Sequence, residues 1–498
     1  MKKLFGTDGI RGEAGTFPLD EKTIGIIGNS LARQFTEKLG RSPRFVTGRD
    51  TRESGVWIEQ ALCAGASAAQ ADCESAEIIT TPGVAYLTNK LGFDAGIVIS
   101  ASHNPFEDNG IKIFLPTGRK IDESVEREIE KDIFQNLQSE IQSLTSDAPQ
   151  QGRWTPPLMS DSPQQGQLTP QMRQRIEMLQ MTTDELRSLV EQELEFNQER
   201  AAKMQSQYLN HFADTFKTLD LKGFKIVMDC ANGAAYRLAP ELLKKFGAEV
   251  VAINVAPDGK NINENCGSLH LENLQQEVLK RKADFGVAFD GDADRSLFVD
   301  EKGNIVDGDA VLWIMATHLQ ADGKLNNQMV VSTVMSNIGL EIAFASKNIK
   351  LTRTAVGDKY VLAELLNSNS SIGGEQSGHI IFPFESLVGD GMLTTLFLLE
   401  AIRANGKTFS EMMNGFTRFP QILINVKVRE KVPFEDVPEI AEAARTIENQ
   451  LGGKGRLLLR YSGTENLARV MIEGKNQPEI ESQANHLASI IKKKIGGK

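Results

Sequence analysis

Residues 97–112 read Ile-Val-Ile-Ser-Ala-Ser-His-Asn-Pro-Phe-Glu-Asp-Asn-Gly-Ile-Lys. An apolar, β-rich run from Gly96 to Ile99 stops at a turn carrying Ser100, Ser102, His103 and Asn104 and closed by Pro105. A strand ending this way presents polar side chains at the carboxyl end of a sheet, where open α/β folds place their chemistry. Ser102 has small and polar neighbours and a histidine beside it. Taken alone, the run reads equally well as a serine/asparagine turn that only caps the next element.

Three further runs break the tie. The apolar stretch 285–289 also ends in a polar loop, Asp290-Gly-Asp-Ala-Asp-Arg295. Carboxylates at every second position repel one another unless a cation sits among them, and oxygen ligands suit Mg²⁺ or Ca²⁺ better than zinc. A solvated acidic turn is the plain alternative. The run argues against an EF-hand, because the terminal Glu of its twelve-residue loop is missing and Arg295 follows at once. Gly291 and Ala293 keep the loop small, and magnesium on Asp290, Asp292 and Asp294 is the expectation. Ser371-Ile-Gly-Gly-Glu-Gln-Ser-Gly-His379 sets Glu375, Ser377 and His379 between glycines, donors and acceptors suited to sugar hydroxyls. Leu459-Arg-Tyr-Ser-Gly-Thr-Glu-Asn-Leu-Ala-Arg469 combines two arginines, two hydroxyls and glycine N–H groups, the equipment of a phosphate cradle.

In this order and at these separations the four runs resemble the α-D-phosphohexomutase superfamily, and within it the bacterial phosphoglucosamine mutase family. The resemblance begins at Phe5-Gly-Thr-Asp-Gly-Ile-Arg-Gly12 and continues through Gly48-Arg-Asp-Thr-Arg52 and Thr80-Thr-Pro-Gly83. It takes in Asp229-Cys-Ala-Asn-Gly233, Gly357-Asp-Lys-Tyr360 and Gly389-Asp-Gly391, and leaves out only about 147–202. Gln376, where hexose mutases of the superfamily typically carry Met, and the Gly-Asp-Lys-Tyr loop point to the glucosamine branch. Tyr461 and Asn466 depart from the proline of many relatives but leave the arginines and hydroxyls of that loop in place.

The resemblance implies three related α/β domains with mixed, mainly parallel sheets and a C-terminal α+β domain around one central cleft. The expected units are 1–146 with the serine loop, 204–306 with the aspartate loop, 307–418 with the sugar loop and 419–498 with the phosphate loop. Hydrophobic patterning agrees. Helical stretches (21–39, 57–71) alternate with β runs (44–48, 95–100) in the first unit, a βαβ pattern. Later strands are expected at 224–229, 249–254, 422–428 and 455–461, with helices at 240–246 and within 433–451 and 478–494.

The resemblance also implies a mechanism. Ser102 is expected to be a phosphoserine whose phosphate is held against one Mg²⁺ by its own oxygen and by Asp290, Asp292 and Asp294. The sugar phosphate is expected to contact Gly357, Asp358, Glu375, Ser377, Arg460, Ser462, Gly463, Thr464 and Arg469. Arg11, His103, Lys112 and His379 are unranked candidates for proton transfer or charge stabilisation. Phosphoryl exchange through glucosamine 1,6-bisphosphate follows, with that or glucose 1,6-bisphosphate as activator. A phosphomannomutase or phosphoglucomutase is the alternative within the superfamily. A sugar-phosphate-sensing regulator is the alternative outside it, disfavoured because a receptor needs no aspartate triplet.

Composition fits a soluble cytoplasmic enzyme acting on a small molecule. The 498 residues suffice for three or four domains, and a net charge of −11 argues against a nucleic-acid surface. Cys63, Cys73, Cys230 and Cys266 show no paired spacing and are expected to be reduced. No apolar run is long enough to cross a membrane, and the first residues do not form a signal peptide.

The stretch 147–203 is an insertion. Ser146 to Gln167 reads as flexible linker. Thr169-Pro170 then starts a helix with Met172, Ile176 and Leu179 on one face. Thr182 and Glu185 box the start of a second helix bearing Leu186, Leu189, Val190 and Leu194. A compact helical hairpin is expected, dispensable for chemistry. The wording Leu168-Thr-Pro-Gln-Met172, Leu179-Gln-Met181, Asp184-Glu-Leu-Arg187, Glu193-Leu-Glu195 and Asn197 resembles the N-terminal regulatory region of the enhancer-dependent bacterial sigma factor. Self-association as a homodimer and a protein partner for the insert are the expected associations.

Overall fold

The computed structural model describes residues 3–146, 183–462 and 465–497. Three sheets repeat one strand order. In the first, Asp72–Ile78, Arg44–Arg49 and Ala95–Ile99 are parallel and Asp108–Phe114 closes antiparallel to Ala95–Ile99. In the second the same places belong to Glu249–Ile253, Lys225–Asp229, Phe285–Phe289 and the antiparallel Ser296–Asp300. In the third they belong to Lys350–Thr354, Met329–Thr333, Gly373–Gly374 and the antiparallel Ile380–Ile381. The first sheet adds Gly9–Glu13 and Phe5–Gly6 at its edge. Parallel strands covered on both faces need unbroken apolar runs, and every residue of Ala95–Ile99 and Phe285–Phe289 is buried.

The fourth sheet is antiparallel, Gln421–Lys427 and Arg456–Tyr461 flanking Leu467–Glu473. Helices Pro438–Leu451 and Gln477–Ile495 pack on it through Ile440, Ile447, Ile480, Leu487 and Ile491. The buried Glu473 joins this unit to the third. It accepts from the Ile338 amide at 3.2 Å and Asn337 Nδ2 at 3.3 Å, and pairs with Arg456 at 2.9 Å.

Two expected boundaries move. The helix expected over 57–71 is Ser54–Ala68, because Gln70 turns left-handed (φ 68) on the way to the next strand. The second helix of the insertion does not end where the insertion was expected to end. It runs unbroken from Thr183 to Thr215, across the boundary expected at 203/204. The physical reason lies in its sequence: residues 191–200 are exposed, whereas Ala201, Met204, Tyr208, Leu209 and Phe212 fall on one helical face and are buried. That half packs against Asp72–Ile78 and against apolar side chains of all three α/β units in one continuous core. The expected linker and first helix, 146–182, lie almost wholly outside the described residues. Among the described residues, no helix is long and apolar enough to cross a membrane. All four cysteines are free.

Candidate active site

The repeated strand order puts three equivalent hairpin loops together: 100–107, 290–295 and 375–379. Each contains a left-handed residue, Ser102 (φ 55), Ala293 (φ 55) and Gly378 (φ 92). For serine and alanine that conformation costs of order 1 kcal/mol or more and persists only where surroundings impose it. Around Ser102 they do. Its amide donates to Ser100 Oγ at 2.9 Å, and its carbonyl accepts from Arg52 Nη2 at 3.2 Å and Asn263 Nδ2 at 2.9 Å. The Asn104 carbonyl takes the same two donors at 2.6 and 3.1 Å. Arg52 is itself buried against Asp50. The aspartate loop then closes on the serine so tightly that a Cβ on Gly291 would lie 2.5 Å from Ser102 O.

Ser102 Oγ donates to Asp290 Oδ2, and His103 Nδ1 lies 3.3 Å from Ser102 Oγ. Asp290, Asp292 and Asp294 are buried, with one oxygen of each within 4.8 Å of the others. Burial, and repulsion from Asp294 and Asp292, push Asp290 well above the usual carboxylate range. Asp292 Oδ2 accepts from Thr81 Oγ1 at 2.5 Å and Lys112 Nζ at 2.8 Å. Asp292 Oδ1 and Asp294 Oδ1, by contrast, are buried without any hydrogen bond. Orphaned anionic oxygens on a loop offering carboxylates and no sulfur or free imidazole fit a hard divalent cation such as Mg²⁺.

Lys112 is buried. Its ammonium spans Asp292, Asp8 Oδ2 at 3.1 Å and Asp294 Oδ2 at 3.3 Å. Burial opposes its charge, but Asp292, Asp8 and Asp294 outweigh that and hold its pKa well above the ordinary lysine value. Arg11 pairs with the same Asp8. His103 is driven the other way, to about 4, by burial and by Arg295 and Arg11. It is therefore neutral at pH 7, with Nδ1 accepting from Arg295 Nη1 at 3.3 Å. His379 is buried with Nδ1 3.7 Å from Asp294 Oδ1. Burial works against its charge, while Asp294, Asp358 and Glu375 raise its pKa. Its Nε2 accepts from the Gly389 amide at 3.2 Å, and any Cβ at Gly389 would strike the ring.

Glu375 turns Oε1 to the Gly357 amide at 3.0 Å and Oε2 to Ser377 Oγ at 3.3 Å, tying two expected sugar contacts into one turn. Asp358 spends its carboxylate on Lys120 Nζ at 2.6 Å. Gln376 donates to Asp307 Oδ2 at 3.2 Å. Arg460 and Arg469 face each other across paired strands with no carboxylate partner among the described residues, and burial and Arg469 lower the Arg460 pKa. Arg469 Nη2 reaches Ser462 Oγ at 3.4 Å and its Nε is buried unpaired. Two cations brought together this way can share a phosphate through their guanidinium N–H groups. Gly463 and Thr464 lie outside the described residues.

Sequence reasoning passed over Asp8, Arg52, Thr81, Lys120, Asn263 and Arg295. Asp8, Arg52 and Thr81 stand inside motif runs and Arg295 ends the aspartate loop, so a signal was present; Asn263 and Lys120 carried none.

Comparison with known proteins gives the family. The phosphoglucosamine mutase of Solibacter usitatus is 43% identical over 495 residues, covering 99% of each chain. The chain belongs to the phosphoglucosamine mutase family. It is thus a phosphohexomutase, an isomerase that works by phosphoryl transfer. Phosphoglucomutase/phosphomannomutase domain models match in order: α/β/α domain I over 2–140, II over 206–303, III over 307–419 and the C-terminal domain over 423–490. Residues 163–198 match a different model, the activator interacting domain of the sigma-54 factor. Among solved structures the fold is shared with a phosphoglucomutase/phosphomannomutase family protein of Burkholderia thailandensis (TM-score 0.71, 20% identity, 99% and 97% of the two chains). It is also shared with the N-acetylphosphoglucosamine mutase of Aspergillus fumigatus in complex with GlcNAc-6P and magnesium (TM-score 0.61, 18% identity, 98% and 95%).

Proposed function

We propose that the chain interconverts glucosamine 6-phosphate and glucosamine 1-phosphate, feeding UDP-GlcNAc and cell-wall precursor synthesis. The observation that carries the site assignment is Ser102 Oγ bonded to Asp290 inside the buried triad. Esterified by phosphate, that oxygen can no longer donate, and its dianion would face Asp290, Asp292 and Asp294. Those residues and the phosphoserine would hold Mg²⁺, which supplies charge neutralisation of the transferring group.

The chain's own residues do the rest. Arg460, Arg469 and Ser462 hold the phosphate of glucosamine 6-phosphate; Glu375 and Ser377 hold ring hydroxyls. The sugar O1 attacks the phosphoserine phosphorus, the P–Oγ bond breaks, and the proton lost by O1 ends on the departing Ser102 Oγ, restoring the serine hydroxyl. Lys112, fixed as an ammonium, and Arg11 stabilise the charge. The 1,6-bisphosphate turns end for end, returns its 6-phosphoryl group to Ser102 and leaves glucosamine 1-phosphate. Two guanidiniums suit a loop that must take phosphate from either end of the sugar. Glucosamine or glucose 1,6-bisphosphate would prime Ser102 as activator. A coupled assay of the purified protein on glucosamine, glucose and mannose 6-phosphates tests this. The highest kcat/KM is expected for glucosamine 6-phosphate, and higher turnover of mannose 6-phosphate would move the chain to the sister activity.

The sigma-54 match supports a second role for the insertion, as a docking element for a sigma-54 activator protein. The described part, residues 191–200, is exposed and carries Leu194 and Phe196 more than half exposed among Glu191, Glu193, Glu195 and Glu199. Binding of a purified sigma-54 activator to the full chain, lost when 163–198 is replaced by a Gly/Ser linker, is expected. Self-association through the same segment, seen by light scattering, would argue for the alternative.

A further inference from the structure

Lys120 belongs to no motif, yet it stands where the first and third α/β units meet at the rim of the cleft. Its ammonium lies 2.6 Å from Asp8 Oδ1 and 2.6 Å from Asp358 Oδ2, with the Thr7 carbonyl at 3.4 Å. Asp8 divides its carboxylate between two tasks: Oδ1 faces Lys120, and Oδ2 faces Lys112 and Arg11. Asp358 follows Gly357, whose amide is held by Glu375. Charges therefore alternate without a gap from the turn beside the sugar loop, through Lys120, to the groups around Ser102. Lys120, Asp8 and Asp358 are each about a fifth to a quarter exposed, so the contact lies at the surface of the cleft rather than in the core. A second ion pair across this seam, Lys359 to Glu123 at 3.5 Å, is more exposed and contributes little.

The reaction inferred above makes an unusual demand. The bisphosphate must let go of the serine site, rotate and return, and while it rotates only the cleft walls keep it from solvent. We propose that Lys120, bridging Asp8 of the first unit to Asp358 of the third, is a positioning residue that holds the rim closed and retains the bisphosphate during its reorientation. Its bonds go to Thr7, Asp8 and Asp358 and not to Ser102 or the aspartate triplet, so its loss should spare phosphoryl transfer itself. Charge-assisted contacts of this kind open and close far faster than turnover, which lets the same bridge admit substrate.

The inference rests on the bisphosphate reading, and the experiment separates the two. The parent chain is first phosphorylated with glucose 1,6-bisphosphate. Failure to form a phosphoserine, or to pass the label to glucosamine 6-phosphate, defeats the functional reading before any variant is made. With that step in hand, Lys120→Met and Lys120→Gln are compared with the parent in two measurements. One is the single-turnover rate of transfer from phosphoserine to glucosamine 6-phosphate. The other is the fraction of labelled bisphosphate released per turnover into a pool of unlabelled bisphosphate. Release is expected to rise about tenfold, a modest coupling between two sites, while first transfer stays within about threefold. Lys120→Arg should restore retention, and Glu123→Gln should change neither quantity. Unchanged release in both neutral variants overturns the proposal. So does a parallel fall in first transfer, which would place Lys120 in the chemistry through Lys112, and so does a Lys120→Arg variant that leaks like Lys120→Met.

Discussion

At the scale of single residues the site is an argument about charge. Three buried carboxylates, a buried ammonium and two facing guanidiniums cost too much solvation to be kept for stability alone. Ser102→Ala should cut mutase turnover by roughly four or more orders of magnitude, the scale of nucleophile deletion, while the melting temperature stays within a few degrees. A coupled assay beside circular dichroism checks both halves. Chelation should silence the parent and Mg²⁺ restore it. Asp292→Asn should raise the Mg²⁺ concentration needed for half activity by about tenfold or more, read from a metal titration of the rate. At the far side of the sugar, Arg460→Gln or Arg469→Gln removes a bond to a charged group, worth about 1.5–3 kcal/mol. The expected result is a KM for glucosamine 6-phosphate raised about tenfold or more with Mg²⁺ dependence unchanged. Ser102, the aspartates and both arginines were legible because each sits in a polar run that interrupts an apolar one. Asn263 was not, since its two carbonyl partners lie some 160 positions away in the chain.

At the scale of elements, the three loops are equivalent because the three sheets are. Strand, polar loop and antiparallel return strand recur at 95–114, 285–300 and 373–381, and that return is what points each loop inward. The helix Thr183–Thr215 is the element the sequence misjudged, exposed along 191–200 and buried from Ala201 on. Arg200 pairs with Glu74, so a deletion meant to spare the enzyme should stop at 198 rather than 200. Replacing 150–198 by a Gly/Ser linker should leave Mg²⁺-dependent turnover within about tenfold, ~1.4 kcal/mol in barrier height. Extending the deletion through 212 takes away Met204, Tyr208 and Phe212 and should yield insoluble protein. Expression and rate of the two constructions settle where the insertion ends.

At the scale of the whole molecule, one apolar core runs through the first three units, the first unit adds a second core around Ile10, Phe45 and Ile97, and the fourth has its own. Tyr208 shows the coupling: its hydroxyl donates to Asp390 Oδ2 at 2.7 Å, and Asp390 caps the helix whose first amide, Gly391, donates to Ala293 in the aspartate loop. Phe212→Ala should therefore lower stability by about 3–5 kcal/mol in one transition common to the three α/β units. The C-terminal unit, joined through Glu473, Arg456 and Asn337, should keep its own midpoint. Denaturant unfolding followed by limited proteolysis of the two regions would show whether the transitions separate in this way.

By itself the sequence determined what is local. Apolar runs with polar ends made strands and loops, alternate aspartates made a cluster of carboxylates, and two arginines were set on neighbouring strands, because each depends on neighbours within about ten positions. Only the tertiary structure decided which of these groups meet. Ser102 finds Asp290 across 188 positions, and Lys120 finds Asp358 across 238. Such pairings follow from how covered sheets stack on a common core, a property of summed burial that no short window of sequence contains.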